Sequence, residues 1–330
     1  MKVVAIGGGT GLSTVLRGLK HHVVEPARPA QFRPEITRLT AIVTVTDEGG
    51  SSGRLRREFR ILPPGDIRNC MVALAEDEQL LTKLFNYRFA SGHGLRGHSL
   101  GNLFLAALTH LTHDFAKAVR VSSEVLAIRG EIFPATLSDV HLKAERVDGV
   151  IIRGEHSINK TRVPIRRLQI VPSRCRPLPE TLTAIREADL ITLGPGSLYT
   201  SLVPNLLVHG IREEISRARA VKVLVCNLMT QPGESRGYSA ADHVRALIEH
   251  AGHRIFDHIV LNTQPLSRAV LKRYAAERSE PVRLDLDEVR RLGVKPLCAE
   301  LLDEDRVARH DSRHLAELLL SLTKRHQIAR

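Results

Sequence analysis

The chain has 330 residues, 43% of them hydrophobic and 25% charged, with no tryptophan and 4% aromatic residues. That is enough apolar material for one large α/β domain with an insertion, or for two domains, and it excludes a disordered chain. A formal charge of +12 admits nucleic acid, a membrane surface or an anionic small ligand as partner, so the placement of the charge must decide.

The four cysteines, Cys70, Cys175, Cys226 and Cys298, are far apart and form no CxxC pair, which argues against zinc. No run approaches the ~20 apolar residues of a membrane helix. Met1-Lys2 leads at once into a short strand, so no signal peptide is expected.

Residues 2–6 are a short apolar run ending in Gly7-Gly8-Gly9-Thr10-Gly11, the pattern of a buried strand feeding a glycine loop. Helical spacing follows from Leu12 to Leu19, with Ser13 as the expected N-cap. Residues 39–45 form a second buried strand, ending in Thr46-Asp47-Glu48-Gly49-Gly50-Ser51-Ser52-Gly53. Pro63-Pro64-Gly65-Asp66 is a turn, with Asp66 expected to cap the helix running through Met71 to Ala75. Helices are predicted over 79–85, 100–111 and 115–128. Residues 132–171 are rich in β-branched side chains and turns, and read as a small, mainly antiparallel insertion. The α/β rhythm then returns, with helices at 181–187, 211–217 and 243–250. Strands are predicted at 189–193, 221–226 and 258–261, and an amphipathic helix at 313–325. Strands alternating with helices argue for a parallel sheet, whose ligand site lies beyond the strands' carboxyl ends.

Those ends carry the candidate chemistry. Four glycines in Gly7–Gly11 exceed what one turn requires, and a helix N-terminus behind them offers free N–H groups to a phosphate. The loop does not fit G-x-G-x-x-G, because Leu12 stands where the third glycine belongs, and no convincing acidic residue ends the second strand to hold a ribose. NAD is therefore disfavoured, and no P-loop signature occurs. Asp47 and Glu48 suit Mg²⁺ on a phosphorylated ligand, and the following N–H groups with Arg54 suit an anion. Gly194-Pro195-Gly196-Ser197 repeats the strand–glycine–helix pattern. The stretch from His93 to Asn102 contains His98, as a base or as part of a capping or buried network. Arg309 is read either as a phosphate clamp or as a surface partner of Asp311. Lys160, Arg162, Arg166, Arg167, Arg174 and Arg176 lack interleaved aromatics and read as a solvated face, so nucleic acid is not expected.

Taken together and in order, several segments resemble the gluconeogenesis factor family (YvcK/GlmR type), which is related to the 2-phospho-L-lactate transferases of coenzyme biosynthesis. They are residues 7–13, 47–56, 62–69, 87–89, 97–102, 194–200 with Pro204-Asn205, 226–234 and 309–311. The resemblance implies an α/β, Rossmann-like, doubly wound and mainly parallel sheet with an inserted helical and small β subdomain. Residues 1–330 would form one CofD-like domain, with 130–175 as the β-rich insertion. It implies a cytoplasmic, non-catalytic, homodimeric regulator that binds a nucleotide sugar of the UDP-N-acetylglucosamine type. Such a factor supports cell shape and envelope precursor supply on gluconeogenic carbon, through an enzyme of amino-sugar synthesis. The alternative is a Mg²⁺-dependent transferase of phospholactate to a deazaflavin acceptor; Tyr87 and Phe89 are the only close aromatic pair near a motif and read as core. The ligand residues expected are Gly7, Gly8, Gly9, Thr10, Gly11, Asp47, Ser51, Ser52, Arg54, Asn102, Gly194, Gly196, Ser197, Asn205, Asn227 and Arg309. Asp47 is the expected metal ligand; the family's second aspartate is replaced here by Glu48.

Overall fold

The computed structural model describes residues 1–24, 36–76, 78–305 and 307–328. Its centre is a seven-stranded sheet of β1 (Lys2–Gly7), β2 (Arg38–Val43), β3 (Glu131–Pro134), β7 (Leu190–Leu193), β8 (Val221–Val225), β9 (His258–Asn262) and β10 (Lys295–Ala299). The strand order is β10-β9-β8-β7-β1-β2-β3, and every pairing is parallel. β1 and β2 are buried over five of their six residues, as continuous apolar runs must be when helices cover both faces of a parallel sheet.

The remaining strands form two small sheets. β4 (His141–Arg146), β5 (Ile151–Arg153) and β6 (Ile165–Val171) make an antiparallel sheet in the order β5-β4-β6, and β11 (Leu302–Glu304) pairs antiparallel with β12 (Ala308–His310). From β1 the chain winds outward through β2 to β3, then returns to β7 on the other side and winds the opposite way. The switch point therefore lies between β1 and β7, where a doubly wound sheet leaves a crevice.

Seven helices carry the site or its supports: α1 (Gly9–Leu19), α2 (Gly50–Phe59), α3 (Gly65–Leu74), α4 (Glu78–Asn86), α5 (Leu100–Thr112), α6 (Phe115–Val125) and α7 (Glu155–Lys160). α1 buries Leu12, Val15, Leu16 and Leu19 and packs against α3 and the final helix, Ser312–Ile328. Burying one such leucine stabilises by roughly 1.5–3 kcal/mol, so α1 is fixed by its apolar face rather than by its glycine-rich start.

Some expectations are corrected. Ser13 is not an N-cap: Gly8 holds that position, and the Ser13 hydroxyl, inside the helix, donates to the Gly9 carbonyl at 3.1 Å. The glycines are thus the first turn of α1 rather than a loop ahead of it. Asp66 does not cap its own helix, whose N-cap is Pro64; its carboxylate lies instead beside Gly8 and Gly9 at the start of α1. The β-rich stretch divides, since β3 joins the central sheet and only 141–171 form the separate antiparallel one. Tyr87 is 56% exposed and packs edge-to-face with Phe89 at 5.2 Å, so this pair is not core.

The small sheet is tied to the centre at several points. Its inner face buries Leu142, Ala144, Leu168 and Ile170. The Leu168 N–H donates to Nε2 of His250 at 2.9 Å, while Nδ1 of that ring lies 2.6 Å from the Ala246 carbonyl. Burial holds the His250 pKa below the usual histidine value, which keeps the ring neutral and able to accept.

Candidate functional site: a crevice at the switch point

The carboxyl ends of β1, β2, β7 and β8 open into a crevice of about 610 Å³. One wall is the N-terminus of α1, Gly8 to Gly11 with Thr14. The facing wall is Pro195-Gly196-Ser197. The two approach so closely that a β-carbon on Gly11 would collide with the Pro195 carbonyl. Gly9 has φ +61°, which a glycine adopts without strain, and little but Asp66 lies near the place its β-carbon would occupy. Backbone donors are thereby presented to open space.

The far wall is pre-shaped by side chains. Asn227 accepts from the Gly196 N–H at 2.9 Å and donates to the Gly196 carbonyl at 2.7 Å. Gln231 donates to the Ser197 hydroxyl at 2.8 Å. Glu234, 3% exposed, accepts from the Tyr199 N–H at 2.6 Å and from the Thr200 hydroxyl at 2.7 Å, and burial pushes its pKa up. Asn227 was expected as a ligand contact; it lines the crevice, but its amide is committed to holding the loop.

Carboxylates collect on the third side. Asp47, Asp66 and Glu155 all line the crevice. Burial, then the charge of Asp47, raises Asp66 to about 7. The same two causes, in that order, raise Glu155 to about 8. Glu155 starts α7, so the small antiparallel sheet delivers it. Its carboxylate accepts from the Glu48 N–H at 2.7 Å, while Glu48 accepts from the Glu155 N–H at 3.1 Å and lies 3.1 Å from His141 Nδ1. Glu48 is therefore turned to the insertion, and the carboxylates that line the crevice with Asp47 on this side are Asp66 and Glu155.

The β11–β12 hairpin closes the rim with Arg309 and His310. Asp311 accepts from the N–H groups of Arg313 and His314, each at 2.9 Å, and Arg309 lines the crevice instead of pairing with it. His310 is 5% exposed, its Nε2 has no partner among the described residues, and burial lowers its pKa to about 4.

Of the expected ligand residues, Gly8, Gly9, Thr10, Gly11, Asp47, Gly196, Ser197, Asn227 and Arg309 line this crevice. Gly7 ends β1, and its carbonyl accepts from Asn205, which is fully buried. Gly194 continues the sheet by donating to the Ile6 carbonyl at 3.0 Å. Ser51, Ser52 and Asn102 form a separate buried cluster. Asn102 donates to Ser51 at 3.1 Å and Ser52 at 3.3 Å, and Ser51 lies 3.0 Å from His98 Nδ1. Arg54 donates to the Arg96 carbonyl at 2.8 Å. Asp66, Glu155, Asn159, Tyr274 and His310 were not expected at the site. Only Asp66, in its Pro-Gly-Asp turn, had a local signal.

Among the described residues no three His, Cys, Asp or Glu side chains are arranged to hold a metal ion alone. Mg²⁺ asks for less, one or two carboxylates plus ligand phosphates. Asp47 and Asp66, hard oxygen donors that line the crevice together, fit that demand. Among the described residues, five carboxyl residues, Asp47, Asp66, Glu155, Glu234 and Glu277, line the crevice against one guanidinium, that of Arg309. An anionic ligand there needs a cation beside it, or protons on the carboxyls.

Residues 3–302 match the family described as 2-phospho-L-lactate transferase CofD. The chain is 47% identical to the gluconeogenesis factor of Bacillus subtilis, over 98% of each protein. It is 48% identical to that of Halalkalibacterium halodurans, over 96% of this chain and 95% of the relative. A crystal structure of a UPF0052 family member from Bacillus halodurans superposes with a TM-score of 0.90 at 48% identity, covering 97% of this chain and all of that one. The chain belongs to this CofD-like family of gluconeogenesis factors. No helix among the described residues is long and apolar enough to cross a membrane.

Proposed function

We propose that the chain is a cytoplasmic regulator that binds a nucleotide sugar, of the UDP-N-acetylglucosamine type, in the switch-point crevice. The reading rests chiefly on one observation: the Gly8–Gly11 helix start and the Pro195–Ser197 loop flank a crevice that ends at Arg309. A diphosphate between them would meet backbone N–H groups and the positive end of α1. Arg309 would add a charge-assisted contact from the hairpin. Asp47 and Asp66 would hold Mg²⁺, which supplies the positive charge that the acidic wall lacks. Relatives named gluconeogenesis factor over nearly their full length support a regulatory role. That role is supply of envelope precursors and cell shape on gluconeogenic carbon, exerted through an enzyme of amino-sugar synthesis by a homodimer of this chain.

A second reading is favoured by the same carboxylates and by the family's description as a phospholactate transferase. There the chain's residues would bind a nucleoside diphosphate carrying phospholactate and orient it toward an alcohol acceptor. Isothermal titration with UDP-N-acetylglucosamine, GDP and GTP, with Mg²⁺ and then with chelator, separates the two. Selective binding of the UDP-sugar without turnover, weakened by chelation, is expected. A preference for guanine nucleotides would overturn the regulator in favour of the transferase, and affinity indifferent to chelator would remove the metal.

A further inference from the structure

The loop between α4 and α5 lies outside the crevice, and none of its residues lines it. It is nonetheless a built segment. The Leu100 N–H donates to the Tyr87 carbonyl at 2.9 Å, the Phe89 N–H to the His98 carbonyl at 3.1 Å, and the Gly97 N–H to the Phe89 carbonyl at 2.8 Å. Arg88 donates to the Gly97 carbonyl at 2.9 Å, and Arg54 of α2 holds the Arg96 carbonyl at 2.8 Å. Yet every residue from Ala90 to Arg96 is exposed. A loop fixed by that many bonds and presented outward is shaped for contact.

What it presents is apolar and basic together. Leu84, Tyr87 and Leu95 are 46%, 56% and 42% exposed. Each stands next to an exposed cation in the chain: Lys83 before Leu84, Arg88 after Tyr87, Arg96 after Leu95. From Gln79 to His113 the sequence has no aspartate or glutamate. Glu58 of α2 reaches this region, but at the buried His98 its influence is second to that of Arg54. Leucines exposed on a rigid loop gain from an apolar medium, and the cations beside them gain from an anionic one. The boundary between acyl chains and acidic headgroups offers both at once. There a tyrosine keeps its ring in hydrocarbon and its hydroxyl in water, and Lys and Arg reach the phosphates. Nucleic acid would use the cations but not the leucines. The Tyr87 and Phe89 rings also pack edge-to-face on each other, which is not a platform for stacked bases.

We propose that this loop docks the protein on an anionic phospholipid surface, with Leu84, Tyr87 and Leu95 entering the interface and Lys83, Arg88 and Arg96 meeting the headgroup phosphates. The attachment is peripheral, since no helix among the described residues is long and apolar enough to cross a membrane. It is independent of the nucleotide reading of the crevice.

The test uses the full chain and two kinds of vesicle: phosphatidylglycerol with phosphatidylcholine in equal parts, and phosphatidylcholine alone. The chain has no tryptophan, so Leu95→Trp places a single reporter at the loop tip. Val150→Trp, at an exposed site on the small antiparallel insertion, is the control. Co-sedimentation is expected to favour the acidic vesicles by about tenfold and to fail in about 1 M salt, where screening is nearly complete. Lys83→Glu with Arg96→Glu is expected to lose about tenfold in vesicle affinity with an unchanged unfolding temperature. On acidic vesicles the emission of Leu95→Trp is expected to shift to the blue and to be quenched by brominated acyl chains, while that of Val150→Trp stays unchanged. This readout does not depend on the charge variant folding. Equal binding to both vesicles, an unshifted emission from Leu95→Trp, or equal shifts from both reporters overturns the proposal. Poly-glutamate displacing the protein from vesicles at matched charge, with no blue shift, assigns the loop to an acidic protein instead. A dimer that becomes monomeric in the charge variant, with no vesicle binding by the wild type, assigns it to a second copy of the chain.

Discussion

The crevice at the switch point and the buried cluster of Ser51, Ser52, His98 and Asn102 are made of similar material: small residues at a helix start, hydroxyls, amides and nearby arginines. Both arise where a strand ends in a glycine-rich turn. They differ in where their donors point. At α1 the backbone N–H groups face open space, and the neighbouring side chains support the opposite wall. At α2 the side chains turn inward to one another: Asn102 donates to two serines and Ser51 meets His98, with Asn102 Oδ1 buried and without a partner among the described residues. Residue types alone nominate a polar site; whether the groups border open space or one another separates a ligand cradle from a structural network.

The largest test of this contrast is Gly11→Val. The added side chain would strike the Pro195 carbonyl, forcing the two walls apart. Nucleotide-sugar binding should be lost, and chemical denaturation should show a loss of about 3–5 kcal/mol, the scale of severe steric substitutions.

Asp66→Asn tests the acidic wall. A carboxyl raised from 3.8 to about 7 in the folded protein binds more protons there than in the unfolded chain between those values. Folding stability therefore falls as pH rises through that window, by at most about 4 kcal/mol at 1.4 kcal/mol per unit. The variant should match the wild type at pH 4 and exceed it at pH 8 in denaturant titrations, while losing Mg²⁺-dependent ligand affinity.

His310 has the opposite sign. Its folded pKa is lowered from 6.5 to about 4, so the unfolded chain takes up the proton first as pH falls. Stability should drop between pH 6.5 and 4, by at most about 3 kcal/mol. A His310→Gln variant should flatten that part of the pH profile.

Arg309→Ala should weaken nucleotide-sugar binding by about 1.5–3 kcal/mol, the range for hydrogen bonds to charged groups. Calorimetry showing no loss would return Arg309 to the surface. Smallest is Asn102→Ala, which should cost about 1–2 kcal/mol of stability and leave ligand affinity within twofold. A large affinity loss there would erase the contrast between the two regions.

The central strands were legible because β1, β2, β7, β8 and β9 are short runs rich in aliphatic residues. β3 and β10 sit at the sheet's edges, are only partly buried, and each contains a proline, so their patterns are weak. The phosphate-facing loops were legible because glycines adjoining a helix start are a local signal. Asp66, Glu155, Tyr274 and His310 were not, since each enters the crevice through tertiary placement. Glu155 comes from an insertion more than a hundred residues beyond the glycine loop. Asp66 looked like a helix cap, and the cap reading failed because its carboxylate lies at the start of α1 instead of capping its own helix. The Ser51 cluster shows the converse error, in which correct residue types sit at a plausible strand end and face inward.

Asn227 grips both the N–H and the carbonyl of Gly196. With the peptide units on both sides of Gly196 held, neither can rotate to greet an arriving molecule. One bank of the crevice is therefore rigid before anything binds, and little ordering entropy is left to lose on that side. Adaptation to ligands of different length falls to the opposite rim, where a hairpin and an inserted sheet supply the contacts. The protein is in this respect a fixed jaw facing adjustable ones, and selectivity for what lies beyond the diphosphate is expected to track changes in those rims rather than in the glycine loops.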